Sequence, residues 1–443
     1  MVSAAEQLAS NLNFSALAKA DELKKRIWFT LGALLVYRLG TYIPLPGIDP
    51  NVWSQIFRTQ AGGILGMFNM FSGGGINRMA IFALNIMPYI SASIILQLLT
   101  SVVPSLEALK KEGEAGRKII NQYTRYLTVV LAVLQAYGIA VGLQGAGNVV
   151  SQPGMFFLIS TALTLTGGTM FLMWLGEQIT ARGIGNGISL IIMAGIVAEL
   201  PSALASTLEL GRQGALSTAV ILAILVMVVV VIAFIVFMER AQRRLLIQYP
   251  KRQVGNKMFE GQSSHLPLKL NTSGVIPPIF ASSLLLLPTT VANFNAGSGP
   301  EWLQWLNTNL GHGRPLYLVL YLALIVFFTF FYTAVVFNPT ETADNLKKHG
   351  GFIPGIRPGE RTAEYIDYVL SRITVIGAIY LAIVCLVPEI LISYASVPFY
   401  FGGTSLLIVV SVTMDTVAQV QGYLLAHQYE GLIRKSKLRG RRK

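Results

Sequence analysis

The chain has 443 residues, of which 53% are hydrophobic and only 12% are charged, and its formal net charge is +13. The charged share is about half that of an ordinary soluble domain, which excludes a typical water-soluble enzyme or binding domain. Because the hydrophobic residues lie in long runs, we expect a protein that crosses a membrane several times.

Ten hydrophobic runs are each near the roughly 20 residues that a helix needs to cross the hydrocarbon core of a bilayer. The runs are continuous and do not alternate with polar residues, which favours helices over a β-barrel. A single run of this kind could also be a buried core helix, but ten in series favour membrane spans. The predicted spans are 27–44, 79–103, 122–143, 155–179, 186–206, 216–238, 272–294, 315–338, 373–395 and 398–424.

Lysine and arginine residues are concentrated in alternate segments between these spans. Such segments usually face the cytoplasm, so we expect both termini to be cytoplasmic. The first run continues without a small-residue cleavage site, which favours a retained span over a signal peptide. The predicted cytoplasmic segments are the tail 1–26, the loops 239–270 and 339–372, and the basic tail 425–443.

A short sequence from the first half of the chain recurs in the second half. Residues 86–96 read IMPYISASIIL, and residues 275–285, shifted by 189 positions, read VIPPIFASSLL. The shift aligns Pro88 with Pro277, and we expect these prolines to bend or loosen their helices.

The two repeated segments lie in the second and the seventh spans, which are the second spans of two five-span halves, 27–215 and 216–424. Because five is an odd number, the halves run in opposite senses through the membrane. Inverted repeats of this kind form a path at their interface, around a pseudo-twofold axis in the membrane plane. We therefore predict an all-α polytopic membrane protein with inverted pseudo-twofold symmetry.

The residues expected on this path are aliphatic, namely Ile86, Ile90 and Ile279. A narrow ring of such side chains can close a pore because it excludes water. The alternative is that these isoleucines pack against lipid or neighbouring helices.

The segment GGILGMFNMFSGGGINRMA precedes the second span and is too short to cross a membrane. Its glycines relax the backbone enough for a sharp turn. Two interpretations remain open: a short helix folded back into the outer vestibule, or a surface loop.

Many motifs along the chain resemble those of the SecY family, the central subunit of the bacterial protein-conducting channel. They include PLPGID, MFNMFSGGG, MPYISASIILQLL, GIGNGISLIIMAGI, KRQVG, HLPLKLN, GVIPPIFASS, NLKKHGGFIPGIRPGE, PFYFGGTSLLIVV and MDTVAQVQ. The resemblance implies an hourglass pore with a plug and a lateral gate between spans two and three on one side and seven and eight on the other. It also implies a passive channel that moves unfolded signal-bearing polypeptides across the membrane and releases hydrophobic helices into lipid.

The resemblance assigns four groups of residues. The pore ring would be Ile86, Ile90, Ile192, Ile279 and Ile408. The plug, at about 63–75, would include Gly63, Met67, Phe68, Phe71, Gly73, Gly74 and Gly75. The lateral gate would include Ser91, Gln97, Asn186 and Phe280. Docking of the ribosome and the motor would involve Arg243, Arg244, Lys251, Arg252 and Arg357.

The partners that the resemblance implies are the small membrane subunits SecE and SecG, the SecA motor, the ribosome with its RNA, signal sequences, nascent chains and the lipid bilayer. The expected location is the bacterial cytoplasmic (inner) membrane. A basic stripe on the cytoplasmic loops would bind phosphates without reading sequence, whereas anchoring by positive charge alone is the simpler interpretation.

Two positions depart from the pattern of the family. Asn85 stands where relatives often have glycine, and it could form a hydrogen bond near the constriction or face a neighbouring helix. Asn256 and Lys257 replace a second arginine pair, which leaves the contribution of that site to docking open.

The sequence contains no GxxxxGK[ST], HExxH or GxSxG motif, so we expect no enzymatic activity, no cofactor and no metal site. The alternative function is a secondary transporter for a small solute. Arg38, Glu177 and Asp415 would support it as polar residues within spans, whereas the aliphatic lining argues against it.

Overall fold

The computed structural model describes residues 21–60, 69–145, 149–213, 217–250, 252–254, 257–259, 263–294, 309, 314–395 and 402–440. Four residues assigned above, Gly63, Met67, Phe68 and Lys251, lie outside the described residues.

Thirteen helices and four short strands make up the described part of the chain. The helices before the strands are α1 (Asp21–Gly40), α2 (Pro50–Gln60), α3 (Met87–Val102), α4 (Pro104–Lys111), α5 (Glu114–Gly145), α6 (Met155–Arg182), α7 (Gly187–Arg212) and α8 (Thr218–Arg240). The strands are β1 (Gln242–Gln248), β2 (Arg252–Val254), β3 (Lys257–Phe259) and β4 (Ser263–Lys269). The helices after them are α9 (Ile276–Phe294), α10 (Pro315–Val336), α11 (Pro339–Lys348), α12 (Glu360–Ala395) and α13 (Gly403–Gly440).

Each of the ten predicted spans overlaps one of these helices. Among the described residues, seven helices are long and apolar enough to cross a membrane, and α3 with α4, bent by 97° at their junction, would be an eighth. The membrane-spanning α-helical architecture is therefore confirmed, while the number ten and the inverted symmetry stay predictions. The seven are α5, α6, α7, α8, α10, α12 and α13.

The chain divides into two compact units. The first comprises Met1–Ser206, Pro288–Asn307 and Ile408–Lys443, and the second comprises Thr207–Leu287 and Thr308–Leu407.

Helix α5 packs in the first unit against α6 and α3. It does so through a stripe of small buried side chains that recur every four residues, which places them on one helical face. Small side chains let membrane helices approach closely, so that contacts between the helices replace contacts with lipid. The stripe consists of Thr124, Thr128, Ala132, Ala136 and Ala140.

The second predicted span begins later than its hydrophobic run suggests. The helix α3 starts at Met87, and residues 79–86 form turns. Met79 and Asn85 have φ angles of 46° and 49°, a left-handed conformation that a helix cannot contain. The start predicted at residue 79 is therefore wrong.

Pro88 and Pro277 are the second residues of α3 and α9. A proline fits there because the first turn of a helix has no intrahelical partner for its backbone N–H groups. The prediction that these prolines bend their helices is therefore wrong, since they lie in the first turn and favour the start of each helix.

The predicted cytoplasmic loops 239–270 and 339–372 fold together in the second unit. Strands β1 and β4 pair antiparallel from Gln242 with Lys269 to Gln248 with Ser263, and β2 pairs with β3 between them. Gln248 also exchanges two backbone hydrogen bonds with Phe352, of 2.9 and 3.0 Å. The strands cover a buried apolar cluster formed by Leu245, Leu268, Ile353, Ile366, Val369 and Ile373.

Candidate functional site

The five isoleucines of the expected pore ring fall in both units. Ile86, Ile90, Ile192 and Ile408 belong to the first unit and are at most 6% exposed. Ile279 belongs to the second unit and is half-buried. A closed constriction requires buried side chains, but ordinary helix packing buries them too, so the ring stays a prediction.

The glycine-rich segment before α3 is buried where it is described, from Asn69 to Ile76. Its turns are held by polar contacts within the segment. The Oδ1 of Asn69 accepts a hydrogen bond from the backbone N–H of Asn77 at 2.8 Å, and the Oγ of Ser72 donates to the carbonyl of Asn69 at 3.0 Å. The indole N–H of Trp53 donates to the carbonyl of Ile76 at 2.7 Å. A buried segment with satisfied backbone groups has a defined conformation.

Two arginines bind the same backbone carbonyl of this segment. Arg38 and Arg78 donate to the oxygen of Gly73 at 2.6 and 2.8 Å. Their guanidinium carbons lie 4.9 and 4.1 Å from the centre of the Tyr42 ring. We call Arg38, Tyr42 and Arg78 the arginine clamp. Hydrogen bonds from charged donors are stronger than neutral ones, and the ring stabilises both cations.

A second contact joins the segment to the start of α3. The side-chain amide of Asn85 donates a short hydrogen bond to the carbonyl of Phe71, and both residues are buried. Asparagine is among the residues that best tolerate the left-handed conformation, so Asn85 can end the turn and bind Phe71 at once. Of the two interpretations of Asn85 left open above, the structure supports a hydrogen bond next to Ile86.

Gly73 fits a position where the segment approaches α7 closely. A Cβ atom added there would lie 3.1 Å from the Cα of Gly195 and 3.1 Å from the hydroxyl of Tyr37. The φ angle of Gly73 is 63°, which also favours glycine. The two facing glycines let backbone meet backbone without a side chain between them.

The expected gate residues make contacts within their own units. Phe280 packs edge-on against Phe328 and Tyr332 of α10, with ring centres 5.7 and 6.2 Å apart. Asn186 caps the start of α7, since its Oδ1 accepts from the backbone N–H of Ile188 at 3.2 Å. These contacts stabilise the helices and leave the gate role a prediction.

Gln97 and Ser91 lie on α3. The amide of Gln97 donates to Ser93 at 3.2 Å, while its buried Oε1 has no partner among the described residues. Ser91 is 5% exposed. These observations leave the gate role of both residues a prediction.

The expected docking residues lie on the two folded loops between the spans. Arg243 and Arg244 are exposed on β1, and Arg357 is exposed in the turn after Phe352. Arg252 lies in β2. Because Gln248 and Phe352 are hydrogen-bonded, the strand that carries Arg243 and Arg244 is attached to the loop that carries Arg357.

The polar residues that favoured a transporter are engaged in other ways. Arg38 belongs to the arginine clamp, and Glu177 forms a bidentate ion pair with Arg125 of α5, with N to O distances of 3.0 and 2.8 Å. Asp415 is exposed. In the part of the chain that the structure describes, no three His, Cys, Asp or Glu residues form a group that could hold a metal ion.

Sequence reasoning missed the contacts that fix the glycine-rich segment. Arg38 was interpreted only as a polar residue within a span, and no role was assigned to Arg78. A run of consecutive glycines leaves backbone carbonyls accessible, but nothing in the sequence indicated which arginines would bind them.

Known proteins resemble this chain over nearly its whole length. The SecY family model matches residues 80–417. The protein translocase subunit SecY of Rickettsia bellii (strain RML369-C) is 57% identical over 433 residues, which cover 97% of this chain and 100% of that protein.

Two solved structures share the fold. One concerns the plug domain of the SecY protein, which is described as stabilising the closed state of the translocation channel and maintaining a membrane seal. It is 17% identical, with a TM-score of 0.61 over 90% of this chain and 92% of that chain. The other is Sec61 in the canine ribosome-channel complex from the endoplasmic reticulum, which is 15% identical, with a TM-score of 0.60 over the same shares of the two chains.

Proposed function

This chain belongs to the SecY family, and we therefore propose that it forms the pore of a protein translocation channel in the bacterial inner membrane. The observation that carries the proposal is the identity of 57%, over the full length of a relative, with a protein translocase subunit. We propose further that the channel is passive and that both termini lie in the cytoplasm.

At rest, the isoleucine ring and the plug would close the pore together. The described end of the plug, Phe71 to Gly75, is bound through two backbone carbonyls, by Asn85 and by the arginine clamp. Breaking these bonds would remove the acceptor that both guanidinium groups share, which would favour the closed state until a substrate supplies the energy for opening.

A signal sequence or a nascent membrane helix would open the channel at the lateral gate. The apolar helix would displace the packing of Phe280 against α10 and separate the gate helices, and the unpaired acceptor of Gln97 would then gain a partner. Release into lipid would follow the transfer energies of side chains, with Asp, Lys or Arg at mid-helix costing about 2.5 to 3.5 kcal/mol.

The driving force would come from partners, since the sequence holds no nucleotide-binding loop. We propose that SecA and the ribosome dock on the exposed arginines of β1 and on Arg357, and that SecE and SecG bind the spans. Cations on one rigid surface bind phosphates and acidic groups without reading sequence.

Reconstitution tests the function directly. The full chain, placed in vesicles with the small subunits, SecA and ATP, is expected to move a signal-bearing precursor into a protease-protected space. The matched control is the same precursor without its signal. Equal protection of both precursors, or of neither, would contradict the proposal.

The docking site is tested by reversing one charge. Arg357→Glu should reduce motor-driven transport about tenfold or more, because it places an anion where a phosphate or carboxylate is bound, and should leave insertion of nascent membrane proteins less affected. Arg361→Glu makes the same charge change four residues away. An equal loss of transport and insertion would point to misfolding and count against docking.

The ring is tested by ion conductance of the resting channel in a planar bilayer. Ile408→Asn should raise the conductance, because a polar constriction stays hydrated. Val409→Asn, at the next position of α13, is the matched control. Unchanged conductance in Ile408→Asn would remove Ile408 from the ring.

A further inference from the structure

A groove runs between two helices of the second unit, α10 and α12. Its volume is about 540 Å³ and its lining is entirely apolar. Several of the side chains that line it are exposed at the protein surface: Ile379 is 55% exposed and Ile383 is 47% exposed. Since both helices are apolar enough to cross a membrane, the opening faces hydrocarbon.

The groove is somewhat longer than one leaflet of a bilayer is thick. On α12 it extends from Val375 to Ile390, which is about 22 Å at a rise of about 1.5 Å per residue. One leaflet accounts for about half of the roughly 30 Å hydrocarbon core. The groove can therefore hold an acyl chain in its extended form.

A cation marks one end of the groove. Arg372 is the last charged residue of α12 before a run of 16 uncharged residues, and it precedes Val375, Ile379 and Ile383 by three, seven and eleven positions. This spacing places all four side chains on one face of the helix. The groove and the guanidinium thus form one continuous surface.

The surroundings of Arg372 suit an anion at the depth of lipid headgroups. Its guanidinium carbon lies 4.3 Å from the centre of the Tyr368 ring, and no carboxylate in the described ranges lies within 4.0 Å of it. Tyrosine and arginine are typical of the interface between hydrocarbon and water.

We propose that this groove is a binding site for one anionic phospholipid. Its phosphate binds Arg372 beside Tyr368, and one acyl chain lies along the groove between α10 and α12. The site is independent of the proposed pore, because neither the ring nor the glycine-rich segment contributes a residue to it.

Native mass spectrometry of the purified full chain tests the site. The chain is released from micelles that contain equal amounts of phosphatidylglycerol and phosphatidylcholine with identical acyl chains. We expect one retained phosphatidylglycerol. Arg372→Gln should lower its affinity roughly tenfold, to the level of phosphatidylcholine, because a charge-assisted contact is lost. Arg361→Gln removes a charge 11 residues before Arg372, about 16 Å further along the helix from the groove, and should have no effect.

A second variant tests the groove without changing Arg372. Ala382→Phe fills the groove and leaves Arg372 in place, and should reduce retention of both lipids. Unchanged lipid preference in Arg372→Gln, or unchanged retention in Ala382→Phe, would overturn the proposal. So would a cross-link from Ile383→Cys to a protein in native membranes, because a partner helix or a second copy would then occupy the groove.

Discussion

The turns before α3 and α9 have the same backbone conformation but different residues. The shift of 189 positions that aligns the two repeated segments also aligns Asn85 with Gly274 and Met87 with Ile276. Asn85 and Gly274 have φ angles of 49° and 63°. Each therefore ends a turn in the left-handed conformation two residues before its helix starts.

The two turns differ in what their side chains bind. Asn85 binds the carbonyl of Phe71, so the start of α3 is joined to the glycine-rich segment. At the other turn a Cβ atom on Gly274 would meet nothing within 4 Å, and Asn271 holds the chain instead. Its amide donates to Glu239 of α8 at 2.6 Å and to the carbonyl of Gly274 at 3.1 Å. Two turns with the same backbone conformation are thus attached to different parts of the chain, the first to the glycine-rich segment and the second to α8.

Replacing Asn85 should show the largest effect. Asn85→Val places a β-branched residue in the left-handed region, at about 1 to 2 kcal/mol, and leaves the buried carbonyl of Phe71 without its donor, at about 1 to 3 kcal/mol. We expect a clearly lower melting temperature of the purified chain and a higher resting ion conductance.

Asn85→Gly is the matched control, because glycine keeps the backbone conformation and removes only the hydrogen bond. It should raise conductance while lowering the melting temperature less than Asn85→Val does. Equal melting temperatures of the two variants would show that backbone strain has no part in the effect.

Replacing Asn271 should have an intermediate effect. Asn271→Ala removes a hydrogen bond to a carboxylate, which contributes about 1.5 to 3 kcal/mol. We expect a lower melting temperature with unchanged resting conductance, since this attachment joins α8 to the turn before α9. Raised conductance equal to that of Asn85→Gly would show that the two attachments do not differ in function.

Replacing Gly274 with asparagine, the residue at the equivalent position before α3, should have the smallest effect. Gly274→Asn adds a side chain where there is open space, and asparagine tolerates the left-handed conformation. We expect a change in stability within about 0.5 kcal/mol, as for a surface substitution, measured by thermal unfolding. A large loss would mean that the turn before α9 needs glycine for more than its φ angle.

The sequence predicted seven of the membrane helices well and the start of α3 poorly. Hydrophobic runs such as the one in α8 determine a membrane helix locally, because every backbone group must be satisfied within the segment. The start of α3 depended instead on the conformations of Met79 and Asn85, which the hydrophobic run conceals. The repeat in the sequence aligned Pro88 with Pro277, but it did not reveal that both helices start beside these prolines, because the prolines had been expected to bend the helices.

The candidate site was predictable only in part. The segment around Gly73 was recognised from its glycines, but the arginines that bind it were not. Arg38 lies 35 residues away on α1, and the contact of Arg78, five residues away, depends on the turns between the two residues, which no local pattern indicates. The strands of the cytoplasmic loops were missed for the same reason, since β1 pairs with β4 and with Phe352, about 20 and about 100 residues away.

Helix α12 has 36 residues and is thus about 54 Å long at about 1.5 Å per residue, well over the roughly 30 Å of hydrocarbon. Its first turns carry Ile366 and Val369, which are buried under β1 and β4. One continuous helix therefore connects the small sheet to the membrane-spanning part of α12. A force applied to the sheet would tilt the membrane-spanning part of the helix without unfolding any residue between the sheet and the membrane.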